Sequence, residues 1–305
     1  MSVEDLFHPI VELPEQVRAA RYRRLVGLDD VKGRLRREAA LLADPRGLDS
    51  WAKKYHGGEL PALELFRDRP PLFVFAGEVG CGKSALAESF GCEMADTLDL
   101  PVHLYRLKLT ARGSGLVGEM TTLIGDAFAY LLTEGRRACG RKGPTSALVV
   151  VVDEADALAQ SRAAEQMHHE DRAGVDALLA GVDSLAGANV PVIVVMCTNR
   201  AAALDPAVLR RAADIFHFNR PGEAERRAVL RAALDGMKIE ERTIAELVNL
   251  TGPRGSEPSF TYSDLTQRLV PAAIMAAFPD GPLTAEILLR VATGMSATPE
   301  FRPQP

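Results

Sequence analysis

Short apolar runs alternate along the chain with longer stretches in which apolar positions recur every three to four residues. The apolar runs are residues 72–76, 102–109, 147–152, 192–197 and 215–218. Their lengths and their bounding turns suit β-strands. Ala147-Leu148-Val149-Val150-Val151-Val152 is apolar throughout, as expected of a strand buried on both faces of a parallel sheet. Residues 84–97, 120–137, 175–185 and 206–212 read as helices between these runs. Strands that alternate with helices predict an α/β domain built on a five-stranded parallel sheet.

After Asn219-Arg220-Pro221-Gly222 the pattern changes. Residues 223–237, 241–249, 262–277 and 284–293 read as four helices with no strand, which predicts a small all-helical lid domain. Ahead of the sheet, residues 16–24 form a basic helix. Asp29 or Asp30 can cap a second helix over 31–43. The first fourteen residues are acidic and punctuated by proline, and read as a loose tail or a short docking segment. The proline-rich end, 297–305, reads as disordered. The expected division is an extension over 1–23, a large domain over 24–219, a lid over 220–296 and a tail over 297–305.

A chain of 305 residues has room for one large and one small domain. With 36 Lys and Arg against 41 Asp and Glu it carries no basic field that would draw nucleic acid. Cys81, Cys92, Cys139 and Cys197 show no metal spacing, and read as reduced thiols of a cytoplasmic protein. No run approaches the length of a membrane span, and the charged N-terminus does not resemble a signal peptide.

The segment Gly77-Glu78-Val79-Gly80-Cys81-Gly82-Lys83-Ser84 follows the first apolar strand and opens a helix at Ala85. This is the G-x-x-x-x-G-K-S phosphate-binding loop in its required setting. Its glycines let successive N–H groups turn inward on an anion, and the helix N-terminus adds unpaired donors. Lys83 is expected to reach the β- and γ-phosphates, and the Ser84 hydroxyl to bind Mg²⁺. The four fixed positions would coincide by chance in about one chain in a hundred of this length.

The strand over 147–152 ends in Asp153-Glu154. Asp153 is expected to hold Mg²⁺, and Glu154 to polarise the water that attacks the γ-phosphate. A strand capped by solvated acids is the plainer reading of this motif alone; beside the loop it becomes the second half of an NTPase site.

These motifs resemble those of the AAA+ ATPases over residues 24–293. In that resemblance Val26-Gly27 lies beside the adenine. Asn199, after Met196-Cys197-Thr198, matches the first sensor, which touches the γ-phosphate or the attacking water. Leu204-Asp205-Pro206-Ala207-Val208-Leu209-Arg210-Arg211 is similar to the segment that lends an arginine finger to the neighbouring subunit. Arg211 is the favoured member of the pair and Arg210 the alternative. Gly115-Leu116-Val117-Gly118-Glu119 resembles the first pore loop of protein-threading members, with Leu116 where an aromatic residue is usual. Residues 161–172, with His168 and His169, would be the second pore loop.

Within the family the chain is most similar to the pachytene-checkpoint, Trip-thirteen-like remodellers of HORMA-domain proteins. The shared features include Asp153-Glu154-Ala155-Asp156 and Arg211-Ala212-Ala213-Asp214-Ile215. The second-sensor arginine of that branch is absent from Thr261-Tyr262-Ser263-Asp264-Leu265, leaving Arg268 or Arg254 as substitutes. The resemblance implies a homo-hexameric ATPase that grips a polypeptide in its pore. Compact bacterial relatives work beside HORMA proteins and nucleotidyltransferases in anti-phage systems. A nucleic-acid motor and a nucleotide-gated scaffold with little turnover are the rival readings.

Overall fold

A computed structural model of the chain describes residues 6–108, 119–155, 169–199 and 205–300. They fall into two compact units. The first draws on Met1–Tyr22, Asp30–Ala76 and Ser84–His217, and the second on Arg23–Asp29, Gly77–Lys83 and Phe218–Pro305. The phosphate-loop residues Gly77–Lys83 thus cluster with the C-terminal helices.

The first unit is built on one sheet. Its strands are β1 (Val11–Leu13), β2 (Leu72–Gly77), β3 (Val102–Arg106), β6 (Ala147–Val152), β7 (Val192–Thr198) and β8 (Ala212–Phe218), and a separate two-stranded ladder joins β4 (Cys139–Gly140) to β5 (Gly143–Pro144). The spatial order is β1-β3-β6-β7-β2-β8. β3, β6, β7 and β2 run parallel, with Val150 opposite Tyr105 and Val194. Every residue of β6 and β7 is buried, as the unbroken apolar runs predict.

Alternate residues feed one face. Leu72, Val74, Ala76, Leu148, Val150, Val152, Val192, Val194 and Met196 pack with Phe128 and Leu131 of the helix Glu119–Arg137 and with Leu178 and Val182 of the helix His169–Ala188. Phe216 meets Phe73 and Phe75 edge-on, with centroids 5.6 and 5.5 Å apart.

The sheet has one strand more than the five expected. β1 pairs antiparallel with β3, Val11 opposite Leu104 and Leu13 opposite Val102. Leu6, Phe7 and Leu13 are buried, and Phe7 stacks edge-on against Tyr105 at 5.4 Å. The segment from Leu6 to Leu13 is therefore joined to the sheet and is not a loose tail. Three residues are too few to show a period, and the open edge of β3 that recruits them lies about ninety positions away.

The helix expected over 84–97 is two helices, Lys83–Ala87 and Phe90–Leu98. The Ser89 hydroxyl between them donates back to the Ala85 carbonyl at 2.6 Å.

In the second unit the helices Glu223–Ala233, Glu241–Leu250, Val270–Ala277 and Ala285–Gly294 close on Leu230, Leu247, Val248, Leu269, Leu288 and Ala292. Asp264–Leu269 is a π-helical turn that runs into Pro271. Proline lacks an N–H and crowds the carbonyl four residues back, and a widened turn relieves both. Thr298 is not loose: its N–H and hydroxyl donate to Asp264 at 3.0 and 2.7 Å.

Candidate ATP site

The phosphate loop owes its path to two close approaches. At Gly77 (φ 152) a Cβ would collide with the Phe218 carbonyl oxygen, and the Glu78 N–H donates to that oxygen at 3.3 Å. At Gly80 (φ 75) a Cβ would stand 2.8 Å from the Thr261 hydroxyl, and the Gly80 carbonyl accepts from the Ser263 N–H at 3.0 Å. Glycine alone meets both demands.

Lys83 is 6% exposed, and its ammonium donates to the carbonyls of Gly77 at 2.8 Å and Glu78 at 2.6 Å. Val79 stands in solvent, while Cys81 is buried and its thiol pushed up to about 11 by desolvation. Val26 packs on the helical core of this unit, and the Gly27 carbonyl accepts from the Tyr262 hydroxyl at 3.4 Å. Ala85 lies in the helix Lys83–Ala87.

In the first unit the Ser84 hydroxyl donates to Asp153 Oδ1 at 3.0 Å, and the Glu154 N–H donates to the same oxygen at 2.9 Å. Glu154 is exposed and has φ 52, the left-handed region that a glutamate rarely enters. The Ala155 N–H donates to the Cys197 carbonyl at 3.0 Å and fixes this turn against the end of β7. Because Val152 is in register with Met196, Asp153-Glu154 and Thr198-Asn199 leave the same edge of the sheet side by side. Ligands of open α/β sheets bind at that carboxyl edge.

Arg210 and Arg211 end a helix, Pro206–Arg211, whose start is capped by Asp205: its carboxylate accepts from the Ala207 N–H at 2.7 Å. The two arginines differ. Arg211 grips Asp183 in a fork, Nε to Oδ1 at 2.9 Å and Nη2 to Oδ2 at 2.9 Å. Arg210 is exposed and has no hydrogen-bond or ion-pair partner among the described residues. Leu116, Val117 and His168 lie outside the described residues, so the pore-loop expectations are not reached.

Neither substitute for the second sensor is uncommitted. Arg268 binds Asp264, and Arg254 binds the Leu250 carbonyl. Sequence reasoning missed Arg220, which pairs with Glu78 inside the loop. A carboxylate in an anion-binding loop was the signal that such a partner had to exist.

A family model described as "ATPase family associated with various cellular activities (AAA)" matches residues 73–220. CD-NTase-associated protein 6 of Escherichia coli (strain MS 115-1) is 45% identical over 302 residues, 98% of this chain and 97% of that protein. The chain belongs to the AAA ATPase family. Solved structures place this AAA ATPase in a Trip13-like branch. A chain of the E. coli MS115-1 HORMA:CdnC:Trip13 complex has a TM-score of 0.93 at 45% identity, covering 99% of both chains. The Rhizobiales Trip13 structure has a TM-score of 0.76 at 38% identity, covering 96% of this chain and all of the other. The phosphate loop with the helix after it and the acidic end of β6 both fall within the matched family region. Membership makes this AAA ATPase a nucleotide-binding protein by family. Among the described residues no helix is long and apolar enough to cross a membrane.

Proposed function

We propose that this AAA ATPase hydrolyses ATP as a homo-hexameric ring in the cytoplasm and remodels a HORMA-domain protein complex of an anti-phage system. The observation that carries this reading is near-full-length similarity at 45% identity to a CD-NTase-associated protein, joined by the likeness to a chain of a HORMA:CdnC:Trip13 complex.

In this reading the amides of the loop and the Lys83 ammonium bind the phosphates, and Val26 and Gly27 flank the adenine. Ser84 and Asp153 present a hydroxyl and a carboxylate 3.0 Å apart, hard oxygen donors of the kind that Mg²⁺ accepts. They would hold Mg²⁺, which when bound offsets charge building on the phosphoryl oxygens. Glu154 polarises the attacking water as general base, and Asn199 on the adjacent strand end orients it. An arginine of the Arg210-Arg211 pair completes the charge cage of the neighbouring protomer. Arg211 must leave Asp183 to do so, whereas Arg210 has no bond to break among the described residues. Leu116 and Val117 grip the polypeptide.

The test uses a Glu154→Gln chain. It should bind ATP with turnover lowered at least about a hundredfold, the usual share of a general base. It should accumulate as rings in native mass spectrometry. The natural chain should disassemble a HORMA-domain complex with ATP, and the Glu154→Gln chain should not. Unchanged turnover in that variant would remove Glu154 from the chemistry. Wild-type turnover with no effect on a HORMA-domain complex would remove the substrate.

A further inference from the structure

Residues 77–84 carry one cation, Lys83, and one anion, Glu78. A nucleoside triphosphate would bring several negative charges to this loop, and a nearby carboxylate opposes them. The Lys83 ammonium donates to the backbone oxygens of Gly77 and Glu78. Arg220 answers the carboxylate. Nε donates to Glu78 Oε2 at 2.7 Å, and Nη2 lies 2.6 Å from the same oxygen in ion-pair rather than hydrogen-bond geometry. Nη1 donates to the Ser259 carbonyl at 2.6 Å.

The Arg220 side chain is 8% exposed and that of Glu78 34%, so the pair is partly buried and salt screens it less than it would a surface pair. Two backbone bonds frame it: Glu78 N–H to the Phe218 carbonyl, and Ser263 N–H to the Gly80 carbonyl. One guanidinium therefore bridges the phosphate loop and the segment that leads into the π-helical turn. A planar fork suits this task, since it bonds a carboxylate and a carbonyl at once, and an ammonium would be a single point charge.

We propose that Arg220 is a positioning residue of the phosphate loop. It cancels the Glu78 charge, so that the loop amides and Lys83 are presented to a nucleoside triphosphate, and its bond to Ser259 holds the guanidinium in place for that task. This rests on the ATP reading above.

The experiment measures ATP affinity by calorimetry, and KM and kcat for ATP, on the full chain and on Arg220→Ala, Glu78→Gln, the double variant and Lys83→Ala. Arg220→Ala should weaken ATP binding about tenfold, the change that roughly 1.4 kcal/mol produces, and should raise KM more than it lowers kcat. Glu78→Gln should bind ATP more tightly than the natural chain. The double variant should return to within about threefold of the natural chain, because the offending charge is gone. A merely structural Arg220 predicts the opposite: the bond to Ser259 is lost in both Arg220 variants, so the double would bind as poorly as Arg220→Ala. That result overturns the proposal, as does Arg220→Ala binding like the natural chain, or Glu78→Gln binding more weakly. If Arg220→Ala does not fold, Arg220→Met with and without Glu78→Gln makes the same comparison, and the Glu78→Gln outcome stands by itself. A natural chain that fails to bind ATP, or a Lys83→Ala chain that binds it equally well, overturns the ATP reading and this proposal together. Loss of binding in Lys83→Ala but not in Arg220→Ala overturns only the role of Arg220.

Discussion

Asp264 holds the second unit together, and its removal has a magnitude that follows from its contacts. The residue is fully buried. With Thr261 it forms a reciprocal cap: the Thr261 N–H donates to Asp264 Oδ2 at 2.9 Å, and the Asp264 N–H donates to the Thr261 hydroxyl at 3.0 Å. Thr298 and Arg268 donate to the same carboxylate. Burial pushes its pKa up, but the N–H of Thr261, the hydroxyl and N–H of Thr298 and the Arg268 guanidinium together bring it down from 3.8 to about 2. The folded state therefore holds the stronger acid. Its stabilisation is complete above the unfolded value and is lost as pH falls through the folded one. At about 1.4 kcal/mol per pH unit, the fall from 3.8 to about 2 corresponds to about 2.5 kcal/mol. Asp264→Asn keeps the shape and removes the charge, so urea unfolding at pH 7 should show a loss of about 2 kcal/mol. The gap between the natural chain and the variant should hold from pH 7 to about pH 5 and shrink by roughly half by pH 3. A gap below about 0.5 kcal/mol at pH 7, or one that does not narrow in acid, would refute the assignment of this carboxylate as an ionised anchor.

Phe7→Ala should cost about 3–5 kcal/mol in denaturant unfolding, because the ring is buried against Tyr105; a loss under about 1 kcal/mol would mean that the β1 segment does not contribute to the core. Mixing Arg211→Ala with Lys83→Ala chains should recover ATP turnover that neither has alone, since some interfaces would join an intact loop to an intact finger. No recovery at any ratio, with mixed rings verified by native mass spectrometry, would exclude Arg211 as a residue acting in trans, and the same mixture with Arg210→Ala tests its neighbour. Leu116→Ala should melt with the natural chain yet lose substrate-stimulated ATPase activity and remodelling. An early-melting variant that remodels normally would remove Leu116 from the pore.

What the sequence alone determined was local. The phosphate loop is eight consecutive residues between an apolar run and a helix, and its chemistry requires those residue types at that spacing. The parallel sheet was equally legible, because β6 and β7 are buried on both faces and carry unbroken apolar runs. The helical character of the C-terminal part followed from periodicity within single segments. Where the signal needed distant partners it was absent. β1 is three residues long and becomes a strand only because the edge of β3 is open to it. Glu78 and Arg220 lie 142 positions apart, Ser84 and Asp153 lie 69 apart, and Arg211 and Asp183 lie 28 apart. Asp264 reads on paper as one more helix acid, yet it is the anchor for a segment 34 positions away. Pairings of this kind depend on which side chains the folded backbone brings within about 3 Å, and a desolvated charge stays buried only where such a partner arrives. Residue types and spacing encode the pieces of a site; only tertiary packing chooses the partner of each charge.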